Sequence, residues 1–123
     1  MNKSSTLAVV EDNADNRLLL QAILGEQFDL VEYDNGTDAL IGLARTKPDL
    51  VLLDITMKGM NGIEVLQKLR EMDAKARVVI ATADIQSSTR TLTQSAGACG
   101  FVIKPLVADA VLSAVHAALR GDG

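Results

Sequence analysis

Short apolar segments rich in Val, Leu and Ile alternate along the chain with longer segments that have the apolar spacing of helices. Strands that are buried on both faces of a parallel sheet have such nearly continuous apolar runs. We therefore predict five strands, over residues 7–10, 29–33, 49–54, 77–82 and 99–103. Helices are predicted over residues 14–25, 37–46, 63–72 and 86–96, and from residue 107 onwards.

Apolar residues spaced three and four positions apart predict which face of each helix is buried. In the first helix this face consists of Leu18, Leu19, Ala22 and Ile23. In the final helix it consists of Val107, Val111, Val115, Ala118 and Leu119. The fourth helix is rich in Ser and Thr, which lowers its helix propensity, and we hypothesise that it is a movable element.

Five β–α units in series predict an α/β fold with one five-stranded parallel sheet and helices on both faces. We expect the doubly wound, flavodoxin-like arrangement, whose strand order 2-1-3-4-5 is taken by analogy because alternation alone does not determine it. The 123 residues are predicted to form a single domain with its core at about residues 7–119.

Polar residues stand at the carboxyl ends of four of these strands. Glu11 and Asp12 follow the first strand, Asp54 ends the third, Thr82 ends the fourth and Lys104 follows the fifth. Because the carboxyl ends of parallel strands share one edge of the sheet, we expect these side chains to meet there.

Three carboxylates held close together repel one another, and a divalent cation removes that conflict. Mg²⁺ prefers oxygen ligands and keeps several waters, so Asp12 and Asp54 are the best candidates for direct ligands, with Glu11 acting through water. Asp54 can also act as a nucleophile that forms an aspartyl-phosphate. The Lys104 ammonium and the Thr82 hydroxyl would then compensate charge on the phosphoryl oxygens.

With these residues the chain resembles a known family, the response-regulator receiver domains of two-component signalling. The resemblance rests on five motifs in order: Val9-Val10-Glu11-Asp12-Asn13, Asp54-Ile55-Thr56-Met57, Thr82-Ala83, Gly100-Phe101 and Lys104-Pro105. Each motif alone is weak, but all five at these spacings are specific, and together they extend over nearly the whole chain.

The resemblance implies that Glu11 and Asp12 bind Mg²⁺ together with Asp54 and the backbone carbonyl of Thr56. It also implies that Asp54 receives its phosphoryl group from the phosphohistidine of a sensor histidine kinase or histidine phosphotransfer protein, or from a small donor such as acetyl phosphate.

For the remaining motif residues, the resemblance implies that Thr82 and Lys104 contact the phosphoryl group and that Thr82 and Phe101 form the switch, with Phe101 changing rotamer on activation. The Lys104-Pro105 bond is often cis in this family. The protein is then not an enzyme with a separate substrate, because it catalyses only its own phosphorylation and dephosphorylation. Its output is binding to a downstream effector protein, with chemotaxis as the commonest pathway, phosphorelay next, and a phosphorylation-dependent dimer allowed.

Composition narrows the classes of partner. A net charge of −4 and the lack of a Lys/Arg cluster argue against direct binding to nucleic acid. The apolar runs are shorter than a membrane span requires, and the first residues lack the apolar region of a signal peptide. A single cysteine cannot form an internal disulfide. We therefore expect a cytoplasmic protein that does not bind membranes.

Three alternatives stay open at this stage. The chain could be a receiver excised from a hybrid histidine kinase or a DNA-binding response regulator. An aspartate-nucleophile phosphatase would also use Mg²⁺, acids and a lysine, but it would need a second acid where Thr56 stands. A nucleotide or flavin binder would need glycines where Glu11 and Asp12 begin the first turn.

Overall fold

The computed structural model describes residues 5–55, 62–73, 75–83, 91, 94–95 and 97–121. Five strands form one parallel sheet: β1 (Thr6–Val10), β2 (Asp29–Tyr33), β3 (Leu50–Asp54), β4 (Val78–Thr82) and β5 (Gly100–Ile103). Their order across the sheet is β2-β1-β3-β4-β5. The predicted fold class and strand order are thereby confirmed.

Four helices have bounds within the described residues: α1 (Ala14–Leu24), α2 (Gly36–Thr46), α3 (Gly62–Met72) and α4 (Ala108–Arg120). The helix predicted over residues 86–96 falls largely outside the described part of the chain, and so does the hypothesis of its movement. No helix among the described residues is both long and apolar enough to cross a membrane.

Alternating side chains of the central strands supply two separate cores, one on each face of the sheet. Leu7, Val9, Leu50 and Leu52 pack on one face, in a cluster that includes residues of α1 and α4. The intervening residues Ala8, Val10, Val51 and Leu53 pack on the other face, in a cluster with residues of α2 and α3. Burial on both faces explains why β1 and β3 have no polar alternation.

The predicted inward face of α1 is wrong for three of its four residues, and only Ile23 packs, partly buried, against the core. Leu20 and Leu24 are buried, whereas Leu18 is 70% exposed, Leu19 is 40% exposed and Ala22 is also exposed. Three consecutive leucines fit more than one helical phase, so local spacing does not decide between them. The observed phase places Leu20 and Leu24 in the same core cluster as Phe28 and the buried face of α4.

The buried face of α4 is largely as predicted. Val111, Val115 and Ala118 are buried, and Leu119 is partly buried against the same core. Val107 differs, since it is the N-cap residue of α4 and is 57% exposed. A residue outside the first helical turn no longer follows the helical phase, which explains this one departure.

The phase of α1 can be tested by truncating one leucine on each face. Leu20→Ala is expected to lower the free energy of unfolding by about 2–5 kcal/mol, because it leaves a cavity in the core. Leu18→Ala, the matched control on the exposed face, should change it by no more than about 0.5 kcal/mol. Urea titration followed by circular dichroism measures both values, and equal losses would contradict the observed phase.

Candidate functional site

The carboxyl ends of four strands bring the predicted site residues together at one edge of the sheet. Asp54 ends β3, and its register partner in β4 is Ala81, the residue before Thr82. Thr82 in turn pairs with Ile103, the residue before Lys104. Glu11 directly follows β1, which lies beside β3. The sheet therefore delivers all four side chains to the same edge.

Two of the acidic groups at this edge are almost completely removed from solvent. Glu11 and Asp54 are each 2% exposed, and Thr82 is fully buried. A buried carboxylate is unfavourable unless a cation or hydrogen-bond donors compensate it. Lys104 does so for both acids, with its Nζ atom 2.8 Å from Glu11 Oε1 and 3.1 Å from Asp54 Oδ2.

The pKa values at this site reflect burial first and the neighbouring charges second. Burial raises the pKa of Glu11, and the neighbouring Asp54 raises it further, while hydrogen bonds from Lys104 and the Asn13 amide oppose the shift. Burial lowers the pKa of Lys104, but hydrogen bonds and Coulomb attraction from Glu11 and Asp54 more than reverse this and leave it raised. One ammonium does not fully compensate the acids, so the pocket favours a further cation.

The acidic residues also have the geometry of a metal site. One carboxylate oxygen from each of Glu11, Asp12 and Asp54 lies within 4.8 Å of the others. Asp12 is only half-buried, which leaves this side of the cluster open to solvent. Carboxylate oxygens suit a hard divalent cation that retains water, so the donor set fits such an ion. Thr56, predicted to add a backbone carbonyl, lies outside the described residues.

The Glu11 residue is held through its backbone as well as its side chain. Its amide donates to the Tyr33 carbonyl at 3.0 Å, and its Oε2 atom accepts from the Asn13 amide at 3.2 Å. Asn13 caps α1 by accepting from the Asn16 amide at 3.0 Å. The start of α1 and the last residue of β2 therefore both help to determine where the Glu11 carboxylate points.

A contact that sequence reasoning missed comes from Arg17, one turn into α1. Its Nη1 atom donates to the Glu11 carbonyl oxygen at 2.8 Å. An arginine early in an amphipathic helix ordinarily indicates a solvated face, so the pattern alone contains no signal for this contact.

The end of β5 is joined to the end of β4 next to the site. The Lys104 amide donates to the Thr82 carbonyl at 2.8 Å, and the Lys104-Pro105 peptide bond is cis, as the resemblance implied. Phe101 is partly buried and packs against the core cluster on the α2 and α3 side. Its role as a rotamer switch remains a prediction.

Gly62 is a second residue whose importance the sequence did not indicate. A methyl group at this position would overlap the Ile55 Cα atom and lie 2.6 Å from the Asp54 carbonyl oxygen. The Gly62 amide also donates to the Ile55 carbonyl at 3.1 Å. The first residue of α3 thus packs directly on the backbone that carries Asp54.

Comparison with known proteins places this geometry in a family context. The model of the response regulator receiver domain matches residues 7–116. Chemotaxis protein CheY of Bacillus subtilis is 37% identical over 116 residues, covering 93% of this chain and 97% of that protein. The DNA-binding response regulator MtrA of Mycobacterium tuberculosis is 36% identical over 115 residues, covering 93% of this chain and 50% of that protein.

A solved structure agrees with the sequence relatives. The signal receiver domain of a LuxO repressor protein from Vibrio parahaemolyticus superposes with a TM-score of 0.90 at 28% identity, covering 96% of this chain and 92% of that one. These relatives favour neither a phosphatase nor a nucleotide or flavin binder, two of the three alternatives that the sequence left open.

The charge imbalance at the site predicts opposite effects for two substitutions. Asp54→Asn is expected to raise the free energy of unfolding by about 0.5–2 kcal/mol, because it relieves repulsion between buried carboxylates. Lys104→Met should lower it by about 3 kcal/mol, because both acids lose their buried counter-charge. Urea unfolding in EDTA at neutral pH measures both. A loss of stability on Asp54→Asn would contradict this account of the pocket.

The close approach of α3 to the backbone of Asp54 and Ile55 predicts a steric effect of substitution at Gly62. Gly62→Ala is expected to lower the free energy of unfolding by about 1–3 kcal/mol, since backbone atoms must shift to admit the methyl group. Gly100→Ala is the matched control, because its methyl group would meet only Val79 Cγ2 at 3.6 Å. Urea unfolding gives the stabilities, and amide chemical shifts around Asp54 report the displacement. An unchanged spectrum and stability for Gly62→Ala would contradict the contact.

Proposed function

Because the chain belongs to the response regulator receiver domain family, we propose that it accepts a phosphoryl group on Asp54 and thereby changes which proteins it binds. What supports this role is the surroundings of Asp54. Its carboxylate is buried, lies 3.1 Å from the Lys104 ammonium and belongs to a cluster of three acids at one edge of the sheet. An acid that only capped a strand would not need this environment.

In the proposed reaction an Asp54 carboxylate oxygen forms the new bond to phosphorus as the bond between phosphorus and the donor breaks. The electron pair of the broken bond leaves with the donor, which is a phosphohistidine imidazole or acetate. Phosphoryl transfer depends mainly on alignment and on compensation of negative charge. Lys104 supplies one positive charge, and the Thr82 hydroxyl supplies a hydrogen-bond donor.

A divalent cation fits this chemistry, and we propose that it is Mg²⁺. Glu11, Asp12 and Asp54 would hold it through carboxylate oxygens. When bound, it supplies the remaining neutralisation of the phosphoryl charge. Lys104 shares its ammonium between Glu11 and Asp54, so it can exchange one carboxylate contact for a phosphoryl oxygen without leaving the pocket.

The proposed partners follow from this chemistry. A sensor histidine kinase or histidine phosphotransfer protein supplies the phosphoryl group, and a downstream protein recognises the phosphorylated form. The chain turns over no separate substrate and acts in the cytoplasm, where such donors arise. Similarity to CheY supports a chemotaxis output. The chain covers half of the DNA-binding regulator MtrA, and this similarity supports a transcriptional output through a further part of the same polypeptide.

Phosphorylation can be tested directly by intact-mass analysis after incubation with acetyl phosphate and Mg²⁺. The unmodified protein is expected to gain one phosphoryl group, and the gain should disappear in EDTA and in Asp54→Asn, which lacks the nucleophilic carboxylate. Asp109→Asn is the matched control, since Asp109 is exposed in the first turn of α4. A phosphoryl group that persists in Asp54→Asn would contradict the assignment of the acceptor.

A further inference from the structure

We propose that Arg17 is a positioning residue that orients the Asp12 carboxylate in the metal site. This role rests on the proposed function, since it concerns the proposed binding of Mg²⁺. Arg17 itself belongs to none of the motifs that identified the site, and its side chain contacts the Glu11 carbonyl and Glu32.

The contacts of Arg17 join three elements. Its Nη1 atom donates to the Glu11 carbonyl at 2.8 Å, a bond strengthened by the charge of the guanidinium. Its Nε atom lies 4.0 Å from Glu32 Oε1 in β2, and the two side chains are 22% and 31% exposed. A half-buried guanidinium between α1 and β2 thus holds the carbonyl at the end of β1.

The planarity of the peptide bond carries this contact to Asp12. The Glu11 carbonyl and the Asp12 amide lie in one plane, so fixing the carbonyl also fixes the direction in which the chain enters Asp12. The Tyr33 carbonyl holds the preceding peptide through the Glu11 amide. Asn13, which caps α1, holds the following segment. Arg17 therefore adds to the contacts that fix the backbone on either side of Asp12.

Electrostatics alone predicts the opposite effect of Arg17 on metal binding. A cation near three carboxylates repels Mg²⁺, so its removal by itself would tighten metal binding. Acidic side chains beside Arg17 weaken this repulsion. Arg17 lines a cavity of about 290 Å³ together with Tyr33 and three acidic residues, Glu32, Asp34 and Asp38. A positioning role instead predicts weaker metal binding on removal. The two effects differ in sign, which makes them separable.

The test is calorimetric titration of the full chain with MgCl₂. Arg17→Ala is expected to weaken Mg²⁺ binding by about tenfold or more, as is typical when a group that orients a metal ligand is removed. Arg17→Lys keeps the charge but loses the planar guanidinium, so its Kd for Mg²⁺ should lie between those of the unmodified chain and Arg17→Ala. Arg45→Ala is the matched control, because it removes the same charge from an exposed site in the last turn of α2.

Two readouts separate positioning from a general loss of folding. A partly unfolded sample lowers the number of binding sites in the titration, whereas a misplaced Asp12 raises the Kd of the folded fraction. At saturating Mg²⁺, the rate of phosphorylation of Arg17→Ala by acetyl phosphate should return to within about twofold of the unmodified rate, because only metal affinity is impaired.

An Mg²⁺ affinity of Arg17→Ala that equals or exceeds that of the unmodified chain would overturn the positioning role. The proposed function is tested separately in the same samples by mass analysis. An unmodified chain that binds Mg²⁺ but gains no phosphoryl group would contradict the acceptor role of Asp54, and the ratio of Mg²⁺ affinities would still decide the role of Arg17.

Discussion

Lys104 lies between two buried carboxylates, and its ammonium is what allows Glu11 and Asp54 to remain at the centre of this sheet edge. Two acids in such surroundings strongly disfavour each other's charge unless a cation is present. One lysine leaves the balance incomplete, because Asp12 adds a third carboxylate to the cluster. This incomplete compensation makes the pocket suited to a further cation.

The architecture of the sheet is what brings these groups together. The strands β1, β3 and β4 are buried on both faces. Apolar residues therefore occupy their interior positions, and charged residues come only where the strands end. The parallel arrangement then places those ends at one edge. Two apolar cores, one on each face, hold the strands in register beneath the site. The stability of the cores offsets the unfavourable crowding of charge above them.

The geometry of the site depends on contacts from several elements of the fold. Glu11 is held through its amide, its carbonyl and both carboxylate oxygens, by groups on α1, on β2 and after β5. Gly62 allows the start of α3 to pack on the Asp54 backbone, where any larger residue would displace it. A site assembled from so many elements keeps its shape only while the whole fold is intact.

The amino-acid sequence by itself determined the strands, the fold class and the identity of the polar groups at the strand ends. These follow from local periodicity and from the carboxyl-edge rule, which need no knowledge of distant contacts. Tertiary structure alone decided the phase of α1, where Leu20 and Leu24 rather than Leu18 and Leu19 face the core. It also decided the contact of Arg17 with the Glu11 carbonyl and the close approach of Gly62. Those features depend on how separate elements pack against one another. The spacing of residues within one segment does not indicate which other segments it will contact.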